Sequence, residues 1–326
     1  MLNLGTVGTS WITQSFIEGA KTAGGIKITA CYSRDEQKAR EFADKNGAEY
    51  YFSSLEEMAK SNVIDAVYIA SPNVLHYAQS LLFLQHGKHV LVEKPATTTL
   101  KQSQELFSLA ENKGIVFAEA IMSIHTPEFE ILKREIESAG SMRTVDLVFC
   151  QLSSKYGLYL AGNNPNIFNP AMHTGCLMDI GIYNVYIAAA LFGKPDKILS
   201  DSVFLESGAD ASGTAIFRYG DMNVNLIYSK VGQNYSSSEF IGDKATISVD
   251  SISQITGMDR VTKNGRENLV AYDIPRNVVM SGEAAFFREL VNNGTKNSEE
   301  YAFAKKTALL VRGICDEIRR QNSFPF

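Results

Sequence analysis

The chain has 326 residues, enough for about two domains. Hydrophobic residues make up 45% and charged residues 21%, the composition of a globular protein with a sizeable core. Its formal charge, 31 basic against 36 acidic residues or −5, comes with Lys and Arg scattered along the chain, and this gives no electrostatic footprint for nucleic acid or an anionic membrane.

The amino terminus, Met1-Leu2-Asn3-Leu4-Gly5, has no basic region followed by a long apolar run, so no signal peptide is expected. Apolar stretches elsewhere are interrupted by polar residues short of the roughly 20 needed to span a bilayer. Short apolar runs at 2–7, 27–32, 49–52, 65–70, 88–92 and 115–119 alternate with amphipathic stretches. That rhythm predicts βαβ units around a parallel, doubly wound sheet over residues 1–120. Ser33-x-x-Glu36, Ser53-x-x-Glu56 and Thr99-x-x-Gln102 fit capping boxes at helix starts. Gly87 and Gly114 stand where helices stop, since glycine accepts the left-handed conformation there.

Residues 121–326 have another character. Thr126-Pro127 reads as an N-cap and first helical residue, with Gly140 past the helix end. Residues 222–226 alternate apolar and polar side chains, as a sheet with one wet face would. Gly220-Asp221 and Gly242-Asp243 are two-residue hairpin signals. A second, α+β domain with a mainly antiparallel open sheet is expected. Its last helix carries Tyr301, Ala304, Ala308, Val311, Cys315 and Ile318 as a buried stripe. The four cysteines, Cys31, Cys150, Cys176 and Cys315, form no C-x-x-C and no His/Cys cluster of zinc spacing. Reduced thiols, no metal site and a cytoplasmic location are therefore expected.

Chemistry-bearing residues begin at Gly5-Thr6-Val7-Gly8-Thr9-Ser10-Trp11-Ile12-Thr13, between the first strand and the first helix. Backbone N–H groups in such a turn can approach a pyrophosphate. Gly8 matches the first glycine of G-x-G-x-x-G, while Ser10 and Thr13 replace the others, so a bare strand–turn–helix is the competing reading. Its position after the first strand of a βαβ series favours a dinucleotide crevice. The second strand ends on Ser33-Arg34, a hydroxyl and a cation where NAD-binding chains carry an acid for the ribose. This suits the 2′-phosphate of NADP better than NAD.

Three further segments join the glycine loop: Ala70-Ser71-Pro72-Asn73-Val74-Leu75-His76, Glu93-Lys94-Pro95 and Asp179-Ile180-Gly181-Ile182-Tyr183. Together they make the chain similar, over nearly its whole length, to the glucose–fructose oxidoreductase / inositol dehydrogenase / MocA family. The resemblance implies a Rossmann domain binding NADP or NAD, and a second domain whose open sheet often forms a dimer surface. It implies hydride transfer between nicotinamide and a CH–OH/C=O group of a sugar, polyol or dihydrodiol. It puts Gly8 and Ser10 at the pyrophosphate, with Thr9, Trp11 and Ile12 as further cofactor-binding residues, and Ser33 and Arg34 at the adenosine ribose. Ser71, Pro72, Asn73 and His76 line the cofactor edge, and Glu93 and Lys94 lie by the nicotinamide, with Asp179 and Tyr183 over that ring. Many relatives have His in place of Tyr183, and the tyrosine form is more similar to the glucose–fructose oxidoreductase and dihydrodiol dehydrogenase branches than to inositol dehydrogenases.

Chemistry supports the same residues. Oxidising an alcohol moves a proton as well as a hydride, and a positioned acid/base must carry it. A free tyrosine titrates near 10, and an ammonium such as Lys94 favours its phenolate. Asp179 lies four residues before Tyr183, on one helix face, and could hold a substrate hydroxyl or orient Lys94. Against these stand plain packing for Tyr183, a solvated Lys94, a structural hydrogen bond for Asp179, and a helix-start role for His76. His173 could reach a cleft or serve as a cap. The leading expectation is a dehydrogenase or reductase of a small sugar, polyol or diol, acting as a homodimer. A non-enzymatic NADP sensor and a redox-assisted glycosidase or lyase are the alternatives.

Overall fold

The computed structural model describes residues 1–326. The chain divides into two compact units, Met1–Met122 with Pro275–Leu309, and Ser123–Ile274 with Leu310–Phe326.

The first unit opens with β1 (Leu2–Val7), α1 (Trp11–Ala23), β2 (Ile26–Tyr32), α2 (Glu36–Asn46), β3 (Tyr50–Phe52) and α3 (Leu55–Lys60). It continues with β4 (Ala66–Ile69), α4 (Asn73–Gln85), β5 (His89–Glu93), α5 (Leu100–Lys113) and β6 (Phe117–Ala120). The strands form one six-stranded parallel sheet in the order β3-β2-β1-β4-β5-β6. This is the doubly wound arrangement expected, with strand ends displaced by one or two residues. Val67, Tyr68, Ile69, Val90, Leu91 and Val92 are fully buried because helices cover both faces. The order reverses between β1 and β4, so a crevice opens beyond the carboxyl ends of those two strands.

Helix boundaries follow the cap chemistry, with two corrections. Thr99 caps α5 as expected, accepting from Gln102 N–H, and Gly114 closes that helix in the left-handed region. Ser33 is not the cap of α2: Asp35 is, accepting from Lys38 N–H at 3.1 Å, while Ser33 Oγ accepts from Asp35 N–H. Ser54, not Ser53, caps α3. In both places a second polar side chain sits within two residues, and either satisfies the orphan donors.

The second unit contains α6 (Pro127–Ser138), capped by Thr126, then β7 (Met142–Cys150) and α7 (Tyr156–Leu160). A π-helical turn, Leu177–Gly181, runs into α8 (Ile182–Phe192). Strands β8 (Lys197–Phe204), β9 (Asp210–Tyr219), β10 (Met222–Ser229), β11 (Ser238–Gly242), β12 (Thr246–Ser251), β13 (Thr256–Thr262) and β14 (Gly265–Val270) follow. Their eight-stranded sheet has the order β14-β13-β12-β11-β7-β10-β9-β8. Every pair is antiparallel except β10 with β7. Gly220-Asp221 does form a two-residue hairpin between β9 and β10. The Gly242-Asp243 connection is longer: Gly242 ends β11, and Lys244 and Ala245 N–H both donate to Ala139 O past the end of α6. A Cβ on Gly242 would collide with that carbonyl, which is why glycine stands there.

The segment 170–192 is long and apolar enough, by composition, to cross a bilayer, yet 78% of its apolar window is buried inside the protein. On β10 the expected alternation holds. Val224, Leu226 and Tyr228 are fully buried, while Ile227 faces outward.

The chain then returns. Helix α9 (Arg276–Asn293) belongs with the first unit, as does α10 (Glu299–Gln321) as far as Leu309. The expected single division at 120/121 is thus corrected by a returning segment. Its packing is specific: a Cβ on Gly19 of α1 would meet Met280 Cβ of α9 at 2.9 Å. Arg288 of α9 donates to Ala23 O at 2.7 Å and Gly24 O at 2.6 Å, satisfying carbonyls at the end of α1.

Candidate active site

In the first unit the site is built by the turn after β1. Gly8 has φ +110, and a Cβ there would sit 2.6 Å from Ala70 O, so only glycine lets the turn pass this close to the end of β4. Ser10 and Thr13, which replace the other fingerprint glycines, place their hydroxyls 3.4 Å apart. Ser10 makes no side-chain cap, and the first turn of α1 carries no acidic residue. Its N–H groups and positive dipole end are left for an anion.

A cavity of about 310 Å³ lies at this turn. Of the expected cofactor residues, Gly8, Thr9, Ser10, Ser33, Arg34, Ser71 and Pro72 line it. Gln79, which sequence reasoning missed, lines it too and accepts a hydrogen bond from Ser71 Oγ at 2.7 Å. Exposed Arg34 and half-buried Ser33 occupy the β2 side, while Asp35 turns its carboxylate onto its own helix. These residues fit the adenosine and pyrophosphate part of a dinucleotide.

Six expected residues lie outside that cavity. Trp11 and Ile12 supply backbone in the first turn of α1; the Trp11 ring is exposed, with the Arg276 guanidinium of α9 4.9 Å from its centroid. Asn73 is the first residue of α4. His76 is a correction: it is 1% exposed, with Nδ1 2.8 Å from Pro95 O and Nε2 2.7 Å from Ser71 O. It ties together the two loops that carry Ser71 and Lys94, and burial pushes its pKa down. Glu93 is also corrected, because its carboxylate accepts from Tyr68 OH at 2.5 Å inside the unit. Burial raises its pKa, with Lys94, Tyr68 and Arg276 acting the other way. Glu283 of α9, 2% exposed, is raised further by burial and by the charge of Glu93. Lys94 is half-buried just beyond β5, in a loop whose Ala96 N–H donates to Glu119 at 2.8 Å.

In the second unit the expected site residues sit on and just after the π-helical turn. Asp179 lies in its middle and Tyr183 in the first turn of α8. Single π turns often occur where a helix re-aims functional side chains. Gly175 has φ +137, and a Cβ there would collide with Asp210 Oδ1. Asp210 in turn accepts from Leu177 N–H at 2.6 Å, capping the turn. Tyr183 is 8% exposed, its ring packed edge-on to Phe149 of β7 at 5.8 Å. Lys230, just past β10, ion-pairs with Asp179 Oδ2 at 2.6 Å. Sequence reasoning missed Lys230, although the signal was present. It continues the parity of Val224, Leu226 and Tyr228, so the strand pattern itself turns this lysine inward. His173 stacks on Phe326, with ring centroids 5.3 Å apart. All four cysteines are free, and Cys315 is fully buried, as expected.

Residues 2–120 match the oxidoreductase family with an NAD-binding Rossmann fold named for GFO, IDH and MocA, and residues 136–248 match that family's C-terminal domain. The chain is 38% identical to scyllo-inositol 2-dehydrogenase (NADP(+)) IolU of Bacillus subtilis, over 98% of this chain and 97% of that one. It is 26% identical to trans-1,2-dihydrobenzene-1,2-diol dehydrogenase of Xenopus tropicalis, over 95% and 94% of the two chains. The fold is shared with the 3-ketoreductase KijD10 of Actinomadura kijaniata, solved with NADP and TDP-benzene, at a TM-score of 0.85 and 20% identity over 98% of each chain. An inositol dehydrogenase thus stands among the relatives, and the tyrosine at position 183 does not set that branch aside.

Asp210 gives the second unit a pH dependence. It is 1% exposed, and burial pushes its carboxyl up to about 7 from the ordinary 3.8. Folding therefore favours the protonated acid: its contribution is greatest below the unfolded value and declines as pH rises toward the folded one. Asp210→Asn keeps an oxygen for Leu177 N–H and cannot ionise. Between pH 5 and pH 8 the variant should gain about 2 kcal/mol relative to the parent. Urea denaturation at the two pH values measures this; an unchanged difference would locate the titration elsewhere.

Proposed function

The chain belongs to the glucose–fructose oxidoreductase / inositol dehydrogenase / MocA family, and we propose that it is an NADP-preferring dehydrogenase or reductase of a cyclic polyol or dihydrodiol. It is an NAD(P)-dependent oxidoreductase. The observation that carries the substrate reading is the second unit's set of Asp179, Lys230 and Tyr183, a carboxylate, an ammonium and a phenol suited to hydroxyl groups.

A nicotinamide dinucleotide held at the turn after β1 would supply the hydride acceptor for the carbinol carbon in the oxidative direction. Tyr183, as the acid/base, takes the hydroxyl proton, and Lys94 supplies the cation that favours the phenolate. Asp179 accepts from a substrate hydroxyl and orients it. Gly8, Ser10 and the first turn of α1 bind the pyrophosphate, and Ser71 holds the edge of the dinucleotide. Ser33 and Arg34 read the 2′-phosphate. The NADP preference is supported by Asp35, whose carboxylate is engaged with Lys38 N–H at 3.1 Å rather than left for ribose hydroxyls. The free thiols fit a reducing cytoplasm.

A homodimer fits the open face of the second sheet. Leu199 pairs with Ile216, and Ile227 lies one row along with Val203 beyond it, all on one face. They are 49%, 41%, 43% and 62% exposed, an apolar row that a second copy would cover. Light scattering at micromolar concentration should give twice the mass of one chain; a monomer sinks this reading.

Arg34→Ala should weaken NADP(H) about tenfold or more and leave NAD(H) nearly unchanged, since it removes a charge-assisted bond. Fluorescence titration checks this, and an equal loss for both cofactors would show that Arg34 does not read the phosphate.

Tyr183→Phe should lower turnover by about 10²–10⁴ with cofactor binding intact. Lys94→Met should also lower it, and the two losses should not add, because the residues act as a unit. Steady-state kinetics across pH, with inositols and dihydrodiols as substrates, tests both. A pH limb present in the parent and absent in Tyr183→Phe is expected. Near-normal turnover in Tyr183→Phe would move proton transfer to another group.

A further inference from the structure

Lys230 is only 7% exposed, and the structure gives its ammonium one acceptor, Asp179 Oδ2, at 2.6 Å. An ammonium carries three donors, and a nearly buried one with donors unspent costs stability unless something else accepts from it. The placement is deliberate in backbone terms. Lys230 N–H donates to Ala211 O at 2.8 Å, and Lys230 O accepts from Ser153 N–H at 2.9 Å. The residue is therefore pinned on both sides as it leaves β10. The Lys230 side chain is 9% exposed and that of Asp179 29%, so the pair is reached from the Asp179 side. Tyr183 follows four residues after Asp179 on the same helical segment.

A carboxylate and an ammonium side by side present an acceptor and a donor at adjacent points. Two neighbouring hydroxyls, each both donor and acceptor, satisfy both at once. A single hydroxyl satisfies one. The pair is also neutral as a unit, which suits an uncharged polyol and offers no net attraction to a carboxylate or phosphate. We propose that Asp179 and Lys230 together read two adjacent hydroxyls of a polyol substrate, and that Lys230 is a specificity-determining residue of the site. This rests on the reading of Asp179 and Tyr183 as substrate-facing groups.

The test compares scyllo-inositol, with hydroxyls on every ring carbon, against cyclohexanol, with one, both with NADP⁺. Parent, Lys230→Met and Lys230→Arg are assayed, and NADPH affinity is measured separately by fluorescence. In Lys230→Met the KM for scyllo-inositol should rise about 30-fold, the loss of one charged hydrogen bond, while kcat changes little. The affinity for NADPH should stay near the parent value, and the kcat/KM for cyclohexanol should fall far less than that for scyllo-inositol. Lys230→Arg, which keeps a cation and donors, should recover most of the loss. A scyllo-inositol KM within about twofold of the parent in folded Lys230→Met, or equal losses on both alcohols, overturns the proposal. If Lys230→Met does not fold, Lys230→Gln, with a neutral donor of shorter reach, is read by the same ratio. A parent that oxidises neither alcohol overturns the substrate-facing reading and the pair's role with it. A parent that oxidises scyllo-inositol beside an indifferent Lys230→Met overturns the pair's role alone.

Discussion

The ring of Tyr228 is the platform on which the second unit's chemistry rests. A Cβ on Gly181 would lie 2.9 Å from its Cγ, and one on Gly213 would lie 2.6 Å from its far edge. Two missing side chains thus let the helix and the neighbouring strand close onto one fully buried aromatic ring. That contact fixes how the Asp179–Tyr183 segment lies on the sheet. Two residues after Tyr228 the same strand parity delivers Lys230 to Asp179. The glycine in Asp179-Ile180-Gly181 is therefore a packing residue that sets the position of the chemical ones beside it.

A similar economy governs the first unit. Gly8 approaches the Ala70 carbonyl because it has no side chain, and this brings the ends of β1 and β4 together where the strand order reverses. The loops beyond β4 and β5 are tied from behind. His76 bridges the Ser71 and Pro95 carbonyls, and Glu119 holds Ala96 N–H. His76 and Glu93 thus act on backbone and interior groups, while the cavity is lined by Gly8, Thr9, Ser10, Ser33 and Ser71 beside the apolar Val7, Ala70 and Leu75. Residues flanking a binding loop are often as specific as those that touch the ligand, because orientation has to be held by something rigid.

Periodicity made the sheet of the first unit legible, since buried parallel strands read as apolar runs whatever their neighbours. It also made the β9–β10 hairpin legible, because Gly220-Asp221 is a local turn signal. Caps were legible only to within one or two residues. At Ser33 and Ser53 a neighbouring Asp35 or Ser54 offered an equivalent acceptor, and only geometry chose. The return of residues 275–309 to the first unit was not legible. An amphipathic helix announces that it must bury a face, not which partner it meets. The partner is written in Gly19 against Met280 and in Arg288 against the end of α1, pairs more than 250 positions apart. The site was half legible for a related reason: motif residues were recognisable by their order, whereas Lys230 carries no motif and shows itself only when strand parity is followed one step past the strand.

Burial sorts the interior carboxyls into two kinds. Glu93, Glu283 and Asp210 are pushed toward the neutral form by the surrounding protein: Glu93 accepts from Tyr68, Asp210 caps the π turn, and Glu283 feels the charges of both Glu93 and Arg276. Asp179 is the carboxylate that a nearly buried ammonium meets directly, at 2.6 Å. An ion pair withdrawn from water contributes little net stability, because desolvation offsets most of the attraction. A packed apolar pair would serve the fold at this end of β10 as well. What an apolar pair could not do is keep a charged acceptor and a charged donor on the segment that carries Tyr183 four residues later. The persistence of both charges at a site where stability does not require them is the physical reason to look for their role in binding.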